Sequence, residues 1–254
     1  MKKYPPIFIL FFLTAFVFLF FNGSKFAKKA IENLSFLSKW QLAGVQSPFV
    51  DLFSTNIVLA EEGSMNDSAS PDWWLNSGAY FYVKGGTSST IQGDLPKDDW
   101  WRIYYEGDNS MDTDGGYHPQ NIFRLVTRTK WQNLKQEAYF KITKHNLSSS
   151  SNRNQSNGLL LFNRYQNGDN LYYTGIRVDG DSVIKKKKNS NYYTMAQEKI
   201  FDGSYNASSN PNLIPQNVWI GLRSEVSTNA DGTVDIKLYM DNGKTGVWTL
   251  IAQA

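Results

Sequence analysis

The chain has 254 residues, a formal net charge of +3 and no cysteine. That length suits one large β domain plus an extension. The small charge gives no general case for nucleic acid as a partner, and the lack of cysteine excludes a disulfide framework, a thiolate metal site and a cysteine nucleophile. A content of 8 Trp, 14 Tyr and 16 Phe residues beside 19 Gly favours an extracellular β protein held together by its core.

At the start, Lys2 and Lys3 precede an uncharged apolar run from Ile7 to Phe21, followed by Asn22, Gly23 and Lys25. The run is intermediate in length between a signal-peptide core and a full membrane span, and Phe20 and Phe21 make a poor cleavage site. Residues 1–22 therefore read as an uncleaved signal anchor with Lys2 and Lys3 inside, although Lys25, Lys28 and Lys29 oppose that orientation. The alternative is a signal peptide cleaved after Ala60, where Val58 and Ala60 are suitable residues. Either way the expected location is a membrane-anchored extracytoplasmic domain or a secreted one. Residues 23–71 read as a stalk and linker. Phe26, Ala30, Leu34 and Leu37 lie at helical spacing with Lys28, Lys29 and Glu32 elsewhere on the wheel, as in a short amphipathic helix resting on lipid headgroups. The small, acidic stretch 61–71 marks a linker.

From Trp73 onward short apolar runs alternate with dense turns. Strands are expected at Ala79–Lys84, Trp100–Tyr105, Ile122–Thr127, Glu137–Thr143, Gly158–Tyr165, Leu171–Val178, Val183–Lys187, Tyr192–Ala196, Val218–Glu225, Val234–Met240 and Trp248–Ala252. Residues 157–196 are the clearest part: Asn167-Gly168-Asp169, Asp179-Gly180-Asp181 and Asn189-Ser190-Asn191 tolerate positive φ and separate four strands of an antiparallel meander. So many strands exceed one open sheet. The expected fold is all-β, a two-sheet antiparallel jelly-roll sandwich over residues 72–254, preceded by a hydrophobic helix and linker. The chain ends at Ala254 shortly after its last strand begins, which reads as a truncated C-terminus.

Strands place residues two apart on one face, so Asn163 and Tyr165 oppose Phe162, Arg164 and Gln166. A sugar ring presents an apolar C–H face and a rim of hydroxyls, which suits aromatic stacking beside Asn, Gln and Arg donors. Candidate glycan-binding residues are Arg124, Asn163, Arg164, Tyr165, Gln166, Tyr173 and Arg177; the competing reading is that these polar groups pair with backbone and carboxylates inside the fold. Lys185 to Lys188 form a solvated hairpin end or a patch for an acidic polysaccharide. Asp108, Asp112 and Asp114 with Gly115 and Gly116 are the densest carboxylate cluster, a weak match to a Ca2+ loop. A retaining glycosidase needs two carboxylates about 5 Å apart, and no strand carries a Glu-x-Asp-x-Glu pattern. A lyase needs a Tyr or His base near groups that neutralise a uronate, which Tyr117, His118, Gln120 and Arg124 would supply.

The strand run from Trp73 to Ala254, with NGLLLFNRYQ and WIGLRSEV as its most specific words, resembles the concanavalin A-like lectin/glucanase superfamily, in its laminin-G-like and polysaccharide-lyase-like branches. The resemblance implies a sandwich with a concave face that holds an oligosaccharide, and in some members a structural calcium. The expected function is extracytoplasmic polysaccharide binding. The alternatives are a lyase or glycoside hydrolase acting on an acidic glycan, and a structural envelope or adhesion domain.

Overall fold

The computed structural model describes residues 49–254, and residues Asp51–Ala254 form one compact unit. The expected anchor and amphipathic helix lie outside the described residues. Among those described, no helix is long and apolar enough to cross a membrane.

Thirteen strands and one short α-helix make up the described fold. In chain order they are β1 (Ile57–Ala60), β2 (Trp73–Ser77), β3 (Tyr80–Lys84), β4 (Thr87–Thr90), α1 (Trp100–Asp108), a 3-10 turn (Pro119–Ile122), β5 (Arg124–Thr127), β6 (Leu134–Lys141), β7 (Gly158–Asn167), β8 (Asn170–Arg177), β9 (Asp181–Lys188), β10 (Asn191–Lys199), β11 (Trp219–Thr228), β12 (Val234–Asn242) and β13 (Thr249–Gln253). All pairings between strands are antiparallel. The described residues thus adopt the expected all-β class, with one short helix added.

The main body is a sandwich of two four-stranded sheets, ordered β10-β9-β8-β7 and β13-β12-β11-β6. The first is the anticipated meander. Its β9–β10 turn is made by Asn189 and Ser190 with φ of 49° and 66°, the paired left-handed conformation that keeps a two-residue hairpin in step with strand twist. Alternation sends Leu161, Ile176 and Ile184 inward from one sheet to meet Ile220, Leu222, Val226, Ile236 and Leu238 from the other. Burying side chains of this size stabilises by about 1.5–3 kcal/mol each.

A polar node interrupts this seam. Asn163 is 1% exposed; its Oδ1 accepts from Gln136 Nε2 at 2.8 Å and Ser224 Oγ at 3.0 Å, and its Nδ2 donates to Leu161 O at 3.3 Å. The node ties β6, β7 and β11 together with its polar atoms partnered, the condition under which a buried amide is tolerated.

A smaller layered region packs strands β1-β3-β4 and β2-β5. Leu59, Leu75, Phe81 and Val83 form one core and Ala79, Ile91, Leu95 and Tyr105 another, the latter beneath α1. Here the structure corrects the sequence reading. Trp100–Tyr105 is helical, not extended, because Asp99 caps the helix by accepting from Trp101 N at 2.8 Å and the chain then buries Tyr105. Aromatic content favours strands only weakly against such context. Strands β1, β2 and β4 carry too few alternating residues to stand out, and β1 lies within the stretch read as linker. There Tyr105 Oη donates to the Glu61 carboxylate at 2.7 Å, and Ala79 N donates to it at 2.8 Å.

Replacing Asn163 by Leu removes the acceptor shared by Gln136 and Ser224 while keeping the core filled. The expected loss is about 2 kcal/mol, read as a lower urea midpoint at unchanged m-value.

Candidate functional site

Because Leu161, Thr174 and Ile184 point into the seam, their strand neighbours point out. Cross-strand register then places Phe162 beside Tyr173, Tyr173 beside Lys185, and Lys185 beside Thr194 in one row across the outer face of the β7–β10 sheet. The next row is Leu171, Lys187 and Tyr192. The rings of Tyr173 and Tyr192 meet edge to face at 6.3 Å, and Phe162 lies nearly parallel to Tyr165 at 6.0 Å. Tyr192 is 60% exposed. Lys187 sets its ammonium 4.9 Å from the Tyr192 ring centre while donating to Gly168 O at 2.8 Å.

Burial, then the neighbouring Tyr192, pushes the Tyr173 phenol up to about 12. It remains a hydrogen-bond donor throughout the physiological range. Burial and then the Arg177 charge push the Lys185 ammonium down. The face therefore combines ring surfaces, a hydroxyl donor, an amine donor and the Thr194 hydroxyl, all on rigid strands.

The candidate residues divide. Tyr165 and Arg124 do meet: Arg124 Nη1 donates to Tyr165 Oη at 3.5 Å, Tyr165 Oη donates to Asn76 Oδ1 at 3.3 Å, and the pair joins the edge of the sandwich to the β2–β5 ribbon. Tyr173 sits at the centre of the face. Gln166 is exposed at the end of β7. Three others are committed elsewhere. Asn163 belongs to the interior node. Arg164, in a left-handed bulge at φ 48°, spends its guanidinium on Gln132 O, Asn133 Oδ1 and Thr228 Oγ1 at 2.6, 3.0 and 2.7 Å. Arg177 is buried against Asp179 and also donates to Gln155 O and Gln197 Oε1. For these residues the backbone-pairing alternative prevails. Phe162, Tyr192 and Thr194 complete the face together with Lys185 and Lys187 of the lysine run. The two-residue turn at Asn189-Ser190 fixes Tyr192 opposite Lys187 and Thr194 opposite Lys185, a register that the turn chemistry makes legible in the sequence.

The lyase assembly does not form. Both ring nitrogens of His118 are occupied, Nδ1 by Asp114 Oδ2 at 2.7 Å and Nε2 by Asp94 Oδ1 at 2.8 Å. Tyr117 lies under the Arg102 guanidinium, 3.6 Å from its ring centre, and Arg124 belongs to the separate contact with Ser77 and Tyr165. Nor do the three aspartates gather as a calcium loop would require. Asp114 Oδ1 accepts from Ser148 Oγ, Ser149 Oγ and Ser149 N, while Asp112 accepts from Ser150 and Asn152. Asp108 acts on Tyr104. Among the described residues no three His, Cys, Asp or Glu side chains form a group suited to a metal ion.

The His118 cluster has a defined pH response. Burial opposes charge on both partners, but hydrogen bonds from His118, Ser149 and Ser148 outweigh it and hold Asp114 down at about 2, while bonds to Asp114 and Asp94 raise His118. The raised histidine contributes fully below its unfolded value of 6.5 and loses its contribution as pH rises through the higher folded value. The lowered aspartate contributes fully above 3.8 and loses it as pH falls toward about 2. The cluster is thus strongest between these limits. The melting-temperature advantage of the native chain over His118→Gln should be greatest near pH 5 to 6, on the order of 1 kcal/mol or about 2–4 °C, and should shrink as pH is raised to about 9.

No family model matches the chain, and no curated protein or solved structure matches it either, so its function is read from its own side chains.

Proposed function

We propose that this chain is an extracytoplasmic polysaccharide-binding module, a jelly-roll sandwich of the concanavalin A-like kind. The N-terminal apolar segment tethers it to a membrane or directs its export. The glycan lies on the outer face of the β7–β10 sheet, with sugar C–H faces against Tyr192, Tyr173 and Phe162 and hydroxyls taken by Lys185, Lys187 and Thr194.

One observation carries the reading. The Tyr173 and Tyr192 rings meet across adjacent rows, Tyr173 in register with Lys185 and Thr194 and the largely open Tyr192 in register with Lys187, on strands whose other face is locked in the core. Rings held on rigid strands lose little freedom when a sugar stacks on them. Each such contact contributes modestly, so single-site affinity is weak, on the order of micromolar to millimolar.

Tyr192→Ala is expected to weaken polysaccharide binding about tenfold, equivalent to about 1.4 kcal/mol, with unchanged circular dichroism. Affinity electrophoresis against a panel of neutral and acidic polymers provides the measurement. Unaltered retention of Tyr192→Ala and Tyr173→Ala on every polymer that retains the native chain would refute this assignment.

A further inference from the structure

The outer face of the other sheet carries an independent arrangement that the proposal above leaves unused. Strand register places Lys141 beside Trp219, Tyr139 beside Gly221, and Glu137 beside Arg223. A Cβ at Gly221 would lie 2.6 Å from Tyr139 Cε1 and 2.9 Å from Trp248 Cη2. The missing side chain is what lets the two rings settle over the strand, with their centres 5.7 Å apart.

Cations interleave with these rings. The Arg223 guanidinium sits 4.1 Å from the Trp248 centre, the Lys244 ammonium 5.4 Å from Tyr139 and 5.3 Å from Trp219, and the Lys141 ammonium 5.1 Å from Trp219. Arg223 is neutralised by Glu137 at 2.8 Å. Among the described residues neither Lys141 nor Lys244 has a carboxylate within 4.0 Å. The nearby acid, Asp241, is buried and engaged: it accepts from Tyr139 Oη at 2.7 Å and, at 2.8 Å each, from Thr245 N, Thr245 Oγ1 and Gly246 N.

Two ammonium groups thus share one indole without a counter-ion. The ring quadrupole compensates these charges only in part, so an anion reaching this face meets unpaired positive charge beside an aromatic surface. A second observation points the same way. Lys244 occupies the left-handed region at φ 58°, a conformation that costs little for glycine and more for lysine. The Asp241 bonds hold the hairpin that imposes it, so backbone strain is maintained where it delivers a positive charge to the Trp219 ring.

We infer that this face is a second ligand site, selective for acidic polysaccharide, with the anionic group received by Lys141 and Lys244 and the sugar ring laid along Trp219 and Tyr139. A bare anion would use the lysines alone; a carbohydrate acid uses the rings as well. The inference does not depend on glycan binding at Tyr192.

The experiment compares the native chain, Lys141→Gln/Lys244→Gln, Lys244→Gly and Tyr173→Ala/Tyr192→Ala by affinity electrophoresis in polygalacturonate, heparin and neutral β-glucan, at low and high salt. The double glutamine variant should bind the acidic polymer about tenfold more weakly, the shift expected from losing two charged contacts, and with a shallower salt dependence. Lys244→Gly should also bind more weakly while melting at or above the native temperature, because glycine relieves the left-handed strain. Preference for polygalacturonate or for heparin assigns the anion as carboxylate or sulfate. The inference is overturned if neither acidic polymer retains the native chain, if the lysine variants bind as the native chain does, or if inorganic polyphosphate is retained equally well. Loss of acidic-polymer binding in the tyrosine double variant alone would also overturn it, and would leave the Tyr192 face standing.

Discussion

The apolar seam between the two four-stranded sheets is the constraint on which the remaining features depend. Ile176 and Ile184 from one layer and Leu222, Ile236 and Leu238 from the other are fully excluded from water. A slip of one residue in any of these strands would send its apolar set to solvent and its polar set inward. The seam therefore also decides what is displayed outside. Tyr173, Lys185 and Thr194 form an outward row because Thr174, Ile184 and their neighbours are held inside. The same logic places Trp219, Gly221 and Arg223 on the opposite surface.

Asn163 sharpens that register. Aliphatic contacts tolerate small shifts, whereas an amide that accepts from Gln136 and Ser224 is satisfied in one alignment of β6, β7 and β11. Its burial also explains why polar strand residues mislead when read alone. A local window shows alternation but not which face is wet, and Asn163 sits in its strand with the spacing of a ligand contact. Arg164 misleads for a different reason. The bulge at φ 48° redirects it away from the face that strict alternation assigns, toward Gln132 and Thr228.

Much of the sandwich was legible because its turns carry their own chemistry: Gly180 and the Asn189-Ser190 pair adopt the positive φ values that their residue types suggest. The small layered region was not. Strands β1 and β4 have four residues each, too short to establish a period, and α1 is a nine-residue helix whose aromatic content mimics a strand. Its identity is set by the Asp99 cap and by Tyr105 reaching Glu61, a partner 44 residues away in sequence. Burial leads the forces that raise Tyr105, which keeps its phenol neutral and donating to Glu61 inside the fold. The aromatic face was legible by residue type, and the membership of Tyr192 followed from hairpin register, but the pairing of His118 with two aspartates depends on loops that no local pattern specifies.

Asp114 has a structural consequence beyond the titration of its neighbour. Its two carboxylate oxygens gather His118 on one side and Ser148 and Ser149 on the other, closing a loop of 35 residues. Ordering a loop of this length carries an entropy cost that grows with the logarithm of its length, and these native hydrogen bonds offset part of it. A cystine would pin such a loop covalently and would persist on unfolding, but this chain has no cysteine. A pin made of one carboxylate, one imidazole and two hydroxyls forms without an oxidant, survives thiol reductants, and is released by protons.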